Sequence, residues 1–227
     1  MPSTADLFDL SRVPDPLRWL LDVERPWDVL TRLDALLADM PSTGIHGDVH
    51  PTAVLEGPVF VAEGASVGPF AYLQGPVYLA PGARVGHAAF VRGPVALGPG
   101  AHVMHASEVK RSLLLGGARA PHFNYVGDSV IGHDVNLGAG VKIANLKAGH
   151  GEVKVAGRGI GVRKFGAAVG DGTFIGCNAV LAPGTIVGRG AVVYNGAMVR
   201  GVVAANVIVK LRQTQEQVEV APRDPQV

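Results

Sequence analysis

Aliphatic residues recur at every sixth position over a long stretch of this chain. The uninterrupted series runs Val49, Leu55, Val61, Val67, Leu73, Leu79, Val85, Val91, Leu97, Val103 and Val109. An α-helix repeats every 3.6 residues and a single strand every two, so neither element produces a period of six. The pattern instead predicts a coiled chain in which each short, flat side turns an equivalent apolar residue inward.

Three such sides make one coil. The dipeptides Pro58-Val59, Pro76-Val77 and Pro94-Val95 each follow a glycine and stand 18 residues apart. Since 18 is three times six, the coil is predicted to be triangular, with every strand stacked on its equivalent in the next coil. Repeats of this kind resemble the left-handed parallel β-helix family. The left hand is implied by that resemblance and departs from the right-handed crossover rule. We therefore predict a mainly β protein.

The repeat is interrupted twice. Leu115 and Ile131 are 16 residues apart, which predicts that one coil has lost two residues. The pattern then stops after Ile143 and resumes at Val169. Residues 145–165 in this gap are predicted to form a long loop or hairpin ejected from the coil. Long loops in a compact repeat protein are often functional.

The N-terminal segment differs from the repeats in the spacing of its apolar residues. Leucine, phenylalanine and tryptophan occur there at helical spacings, and Pro26 opens the second apolar cluster. We predict three parts: a helical appendage at 1–44, packed on the first coils, a β-helix at 45–212 and a polar tail at 213–227. The tryptophan and leucine stripe of the appendage is expected to be core. The alternative is an exposed partner-binding face around Trp19 and Trp27.

Composition and charge exclude several classes of protein. The 227 residues carry a net charge of +1, which gives no support for a nucleic acid or a membrane as partner. The 31 glycines and 16 prolines are interleaved with valine and alanine, which indicates repeated turns rather than disorder. Cys177 is the only cysteine, which fits a reducing compartment. No signal peptide or bilayer-length apolar run is evident, so we expect a cytoplasmic protein.

Two cations are predicted to stack on neighbouring coils. Arg92 and Lys110 each follow an inward valine and are 18 residues apart, so they should lie on adjacent strands about 4.8 Å apart. Stacked like charges repel each other, and an anion such as a phosphate would relieve that repulsion. The alternative, which this geometry alone favours, is a pair of solvated cations that splay apart. His122 lies at the first interruption and is a candidate base, because imidazole titrates near neutral pH; a structural role is the alternative.

Three stretches carry a more specific signal: Lys110, the run His122-x-x-Tyr125-x-Gly127-Asp128, and the run Val135-Asn136-Leu137-Gly138-Ala139-Gly140. Together they resemble the acetyltransferase domain of the bacterial bifunctional glucosamine-1-phosphate acetyltransferase/N-acetylglucosamine-1-phosphate uridylyltransferases. The insertion after Asn145 is similar to that of archaeal sugar-1-phosphate nucleotidyltransferases that carry such a domain. The resemblance covers roughly residues 45–212.

The resemblance implies a role for each matching residue. His122 matches the catalytic base of that family. The matching substrate-binding residues, of which the last would come from a neighbouring subunit, are Arg92, Lys110, Tyr125, Asn136 and Lys164. The matching cofactor-binding residues, which would line the path of acetyl-CoA, are Ala139, Cys177 and Lys210.

The activity implied is acyl-CoA-dependent N-acetylation of an amino-sugar 1-phosphate, or of a related nucleotide sugar. Transfer would be direct, with acetyl-CoA as co-substrate and without a metal. The family pairs its flat faces as a trimer, so a homotrimer with sites between subunits is expected. The larger family enzyme also carries a nucleotidyltransferase domain, which residues 1–44 are too few to form, so uridylyl transfer is not expected of these residues.

Two other classes of function stay open at the level of sequence. The chain could be a non-catalytic trimeric scaffold that pairs with a separate sugar nucleotidyltransferase through its helical appendage. It could also resemble the γ-type carbonic anhydrases, which hold zinc between subunits with three histidines. The chain has eight histidines, but pairs such as His102 and His105 lack the spacing associated with that site, which makes the zinc interpretation the weaker one.

Overall fold

The computed structural model describes residues 1–39 and 43–220. The chain begins with α-helices and 3-10 turns at Thr4–Leu7, Leu10–Arg12, Arg18–Leu21, Pro26–Asp28 and Val29–Ala38. Pro26 stands at the start of its turn, where its fixed φ suits a helix and its missing N–H is not needed. We call residues 1–39 the helical appendage.

The remainder coils into a triangular prism, whose strands pair in parallel with their equivalents in the next coil. The first face consists of Asp48–Val49, Ser66–Val67, Arg84–Val85, His102–Val103, Arg119–Ala120, Asn136–Leu137, Phe174–Ile175, Val192–Val193 and Ile208–Val209. The second face consists of Val54–Glu56, Tyr72–Gln74, the start of Phe90–Leu97, the start of Glu108–Leu114, Tyr125–Gly127, Lys142–Ile143, Val180–Leu181 and Met198–Val199. The third face consists of Thr43–Ile45, Val59–Val61, Val77–Leu79, the end of Phe90–Leu97, the end of Glu108–Leu114, Val130–Ile131, Ala167–Val169, Thr185–Val187 and Val202–Val203.

The six-residue series forms the axis of this prism, as predicted. Every member of it belongs to one apolar column, and Leu73, Val91 and Val109 have no solvent-exposed surface. The first face contributes nine strands, one for each turn of the coil. The mainly β, left-handed parallel β-helix predicted from the sequence is therefore confirmed.

The first interruption differs from its prediction. Leu97, Leu114 and Ile131 are successive partners in adjacent coils, so two coils of 17 residues replace the expected single coil of 16. The register shifts between Lys110 and Ser112, where Arg111 bulges out with a φ of +42°. Because of this bulge Leu114 faces the inner column, and Leu115 packs outside it.

The helical appendage covers the middle coils, so the prediction that it packs on the first coils is wrong. The buried residues of the helix Val29–Ala38 are Val29, Leu30, Leu33 and Leu37. They share a second apolar core with outward residues of the third face, namely Ala96, Leu113, Val130, Ala168 and Ile186. The physical reason is that the middle coils offer small and aliphatic outward side chains for the helix to bury, with Tyr78 packed at the margin of this core.

The insertion at 145–165 also joins this second core. It contains an antiparallel hairpin formed by Lys154–Val155 and Arg158–Gly159. Val153, Val155 and Phe165 are fully buried, so the segment is anchored at several points.

The two tryptophans of the appendage have different environments. Trp27 is only 7% exposed and packs edge-on against Phe165, with ring centroids 6.3 Å apart. Its assignment to an exposed partner-binding face is therefore wrong, and its place in the core is confirmed. Trp19 is 47% exposed, and the guanidinium of Arg32 lies 4.9 Å from its ring centroid. Within the described residues, no helix has the length and apolar character needed to cross a membrane.

Candidate functional site

Arg92 and Lys110 are direct partners on the second face, as their spacing indicated. Each already has a carboxylate. The Nε of Arg92 donates to Glu108 Oε1 over 2.8 Å, and the Nζ of Lys110 donates to Asp128 Oδ2 over 3.0 Å. The expected repulsion between the two cations is therefore relieved within the protein. A bound anion is not required to explain their stacking, and neither residue splays away as a fully solvated cation.

Asp128 links the two cations of the bulge. Its side chain is 1% exposed, and it accepts hydrogen bonds from Lys110, from the Arg111 Nη1 at 3.5 Å and from the Asn145 amide. The far side of Arg111 is held by Asp34, at 2.5 Å and 3.2 Å. Since Asp34 belongs to the helix Val29–Ala38, the appendage is connected to the Lys110 ammonium through three consecutive ion pairs, Asp34–Arg111, Arg111–Asp128 and Asp128–Lys110.

Tyr125 lies beside the cation pair on the second face. It is the strand partner of Glu108, and its hydroxyl is 3.4 Å from Asn145 Oδ1. Burial raises the pKa of the Tyr125 phenol, and the nearby carboxylate of Glu108 raises it further. The phenol is therefore protonated at neutral pH and can donate a hydrogen bond to an anion.

His122 lies at the edge where the first face turns into the second. Its side chain is exposed rather than buried in the aliphatic column. The turn is fixed by Asn124, which is 2% exposed: its Oδ1 accepts the His122 N–H at 3.0 Å, and its Nδ2 donates to the Gly138 carbonyl at 2.7 Å. The imidazole is thus held at a rigid corner and faces outward.

Ala139 and Cys177 follow His122 along the same edge in the next two coils. The Gly140 N–H donates to the His122 carbonyl, the Asn178 N–H to the Ala139 carbonyl, and the Gly196 N–H to the Cys177 carbonyl. Among the described residues the Ala139 N–H has no acceptor, whereas those of Gly138 and Gly140 are both used. The Ala139 N–H is therefore a free donor one coil beyond His122 on the same edge. The Cys177 thiol is exposed, and its N–H donates to Asn195 at 2.8 Å.

The first face flanks this edge. Asn136 is half-buried there, one coil beyond Arg119. Further along lies a groove of about 350 Å³, lined by Phe174, Val192, Val193, Tyr194, Asn195, Leu211 and Gln213. Lys210 immediately follows the last strand, Ile208–Val209, and is exposed at the end of this groove. The three predicted cofactor-binding residues therefore follow one edge of the prism.

A separate cleft of about 670 Å³ lies at the opposite edge of the second face. It is lined by Lys110, Arg111, Asp128, Leu146, His150, Val162, Arg163 and Lys164. Lys164 forms an antiparallel bridge with Leu146 at the base of the insertion. The strand Tyr125–Gly127 separates this cleft from His122. Within one chain, Lys164 is therefore beside Lys110 but across the face from the imidazole, and its delivery by a neighbouring subunit stays a prediction.

Several residues of the site were not singled out from the sequence. Glu108 could have been found, because it stands two residues before Lys110 and strand residues two apart face the same side. The proximity of Arg111, His150 and Arg163 to Lys110 had no signal in the sequence, because it depends on a bulge and on the path of the insertion. Within 1–39 and 43–220, no group of three or more His, Cys, Asp or Glu side chains is arranged to hold a metal ion.

The fold and the repeat define a hexapeptide-repeat protein. Residues 166–201 match the family model described as bacterial transferase hexapeptide (six repeats), and residues 73–165 match the GMPPB C-terminal domain. The chain therefore belongs to the hexapeptide-repeat family that includes bifunctional sugar-1-phosphate nucleotidylyltransferase/acetyltransferases.

Three relatives illustrate this similarity. The bifunctional sugar-1-phosphate nucleotidylyltransferase/acetyltransferase of Sulfurisphaera tokodaii is 35% identical over 79% of this chain and 46% of its own length. The bifunctional protein GlmU of Methanococcus maripaludis is 46% identical over 74% of this chain and 41% of its own length. The GlmU sequence of Bacillus caldolyticus is 35% identical over 44% of this chain and 74% of its own length. The chain spans about half the length of the first of these relatives.

Proposed function

We propose that this chain is an acyl-CoA-dependent N-acetyltransferase that acts on a phosphorylated amino sugar. The observation that carries the proposal is the arrangement on and beside the second face. Two stacked cations and a protonated phenol lie on the face itself, and an outward imidazole and a free N–H lie at its edge. The relative from Sulfurisphaera tokodaii, which is named as a nucleotidylyltransferase/acetyltransferase, supports this chemistry.

Arg92, Lys110 and Tyr125 would hold the phosphate of the acceptor. The phosphate would compete with Glu108 and Asp128 for the two cations, and charge-assisted hydrogen bonds to phosphate are strong enough for such an exchange. A fixed phosphate orients the sugar and makes the attack of its amine effectively intramolecular. Asn136, on the adjoining face, would hold the sugar ring.

His122 would act as the general base. The amine nitrogen forms a bond to the acetyl carbon of the thioester, and its proton passes to the imidazole. The C–S bond then breaks, and the imidazolium gives that proton to the leaving sulfur, so that coenzyme A departs as its thiol. The Ala139 N–H would stabilise the developing oxyanion, because it has no competing acceptor among the described residues. The groove beyond Cys177 leads towards Lys210 and would accommodate the extended coenzyme. Transfer is direct, without an acyl-enzyme.

The test is an acyl-CoA consumption assay against amino-sugar 1-phosphates and nucleotide-linked amino sugars, with His122→Ala as the variant. We expect kcat to fall by about 10²- to 10⁴-fold, the usual contribution of a general base. His50→Ala is the matched control. Like His122, His50 is exposed, but it belongs to the first coils and lies far from His122 along the prism. Absence of turnover in the unmodified protein with every acceptor, or equal activity of the two variants, would contradict the proposal.

A further inference from the structure

The insertion adds cationic side chains that the coil alone would not supply. Arg163 and Lys164, together with the imidazole of His150, line the cleft of about 670 Å³ beside Lys110. The insertion is anchored there: the Arg163 Nε donates to the His150 carbonyl at 3.0 Å, and the Phe165 N–H donates to the Asn145 carbonyl at 3.1 Å. These cations are therefore held at the cleft rather than on a free loop.

The coil cations and the insertion cations differ in their pairing. Lys110 shares the buried carboxylate of Asp128 with Arg111, and Arg111 has Asp34 as a second partner. Across the described parts of the chain, neither Arg163 nor Lys164 forms an ion pair with a carboxylate. Among the described residues that line the cleft, the one carboxylate is that of Asp128, which already accepts from Lys110, Arg111 and Asn145. The surplus positive charge of the cleft therefore comes from the insertion.

We infer that this cleft binds a second phosphoryl group, so that the preferred acceptor is an amino sugar carried on a diphosphate, as in a nucleoside diphosphate sugar. The inference rests on the proposed function for the identity of the acceptor. The sugar-linked phosphoryl group meets Arg92, Lys110 and Tyr125, and the next phosphoryl group meets Arg163 and Lys164. A diphosphate carries more charge than a monoester and offers oxygens to both sets of donors, which share the cleft that Lys110 lines.

The test measures anion binding and does not depend on turnover. Calorimetric titration of the whole protein with inorganic pyrophosphate and with inorganic phosphate should give at least about tenfold tighter binding of pyrophosphate. Arg163→Ala should weaken pyrophosphate about tenfold and phosphate less than about twofold. Arg158→Ala is the matched control, since Arg158 is an exposed cation of the same insertion that does not line the cleft.

Four outcomes would overturn the inference: equal affinity for the two anions, an equal loss of both in Arg163→Ala, the same loss in Arg158→Ala, or no recovery of pyrophosphate binding in Arg163→Lys. The last variant keeps the charge and loses the Nε donor to His150, so recovery separates charge from loop tethering. In the acyl transfer assay, kcat/KM should be higher for the diphosphate-linked amino sugar than for the 1-phosphate. Failure of all acyl transfer with a retained pyrophosphate preference would refute the proposed function and leave the anion subsite in place.

Discussion

At the scale of single residues, the carboxylate of Asp128 decides how the site is held in the absence of a ligand. It is buried, and it neutralises the Lys110 ammonium and part of the Arg111 guanidinium. A buried carboxylate with several charge-assisted donors is stable in place, whereas a buried cation that loses its partner is costly. Removing this one charge should therefore affect both stability and the position of Lys110.

We predict that Asp128→Asn lowers the free energy of unfolding by about 1–3 kcal/mol. The measurement is chemical denaturation followed by circular dichroism. Asp134→Asn is the control: Asp134 also forms an ion pair, with Arg12 at 2.7 Å, but its side chain is 58% exposed. A surface pair of that kind contributes about 0–1 kcal/mol. Equal losses of unfolding free energy in the two variants would show that burial of the Asp128 carboxylate does not increase its contribution to stability.

At the scale of elements, the insertion connects the helical appendage to the cleft. Phe165 follows Lys164 directly, is fully buried and packs against Trp27 of the appendage. The apolar side of the insertion thus fixes where its cationic side lies. The appendage contributes a second connection through Asp34 and Arg111.

We predict that Phe165→Ala costs about 3–5 kcal/mol of stability, the usual range for truncating a buried phenylalanine. It should also weaken pyrophosphate binding, because Arg163 and Lys164 lose their support. For stability the control is Val162→Ala, since Val162 belongs to the same segment but is 38% exposed. For anion binding the control is Arg158→Ala, because Arg158 does not line the cleft. Thermal unfolding and the anion titration are the two readouts. Normal pyrophosphate binding in a folded Phe165→Ala protein would contradict the claim that Phe165 positions the cationic side of the insertion.

The elements also show how far the sequence alone leads. The period of six and the 18-residue spacing predict the prism, its inner column and the stacking of Arg92 on Lys110, because these depend only on local repetition. The position at which the appendage packs depends on outward residues such as Ala96 and Val130. The six-residue pattern describes only the inward residues and so gives no information about this position. The sequence shows only that two residues are missing from the repeat. The bulge at Arg111 divides this loss between two coils. The site residues taken from the family resemblance stay predictions.

At the scale of the whole molecule, the two halves of the predicted site lie on opposite edges of the second face. His122 and the free Ala139 N–H are at one edge, and Lys164 with the cationic cleft is at the other. The strand Tyr125–Gly127 lies between them, so one chain does not place Lys164 beside the imidazole. A closed trimer would bring the cleft edge of one copy to the imidazole edge of the next, because rotational symmetry joins two different patches.

The most direct test of this account mixes two variants. We expect His122→Ala and Lys164→Ala each to lose most of the acyl transfer activity when expressed alone. If each site takes His122 from one subunit and Lys164 from its neighbour, co-expression in equal amounts should restore about a quarter of the wild-type acyl transfer activity, because random assembly leaves that fraction of sites intact. Co-expression of His122→Ala with the double variant, which leaves no intact imidazole, is the control. Mixed trimers no more active than either pure variant, or a protein that sediments as a monomer, would contradict the account.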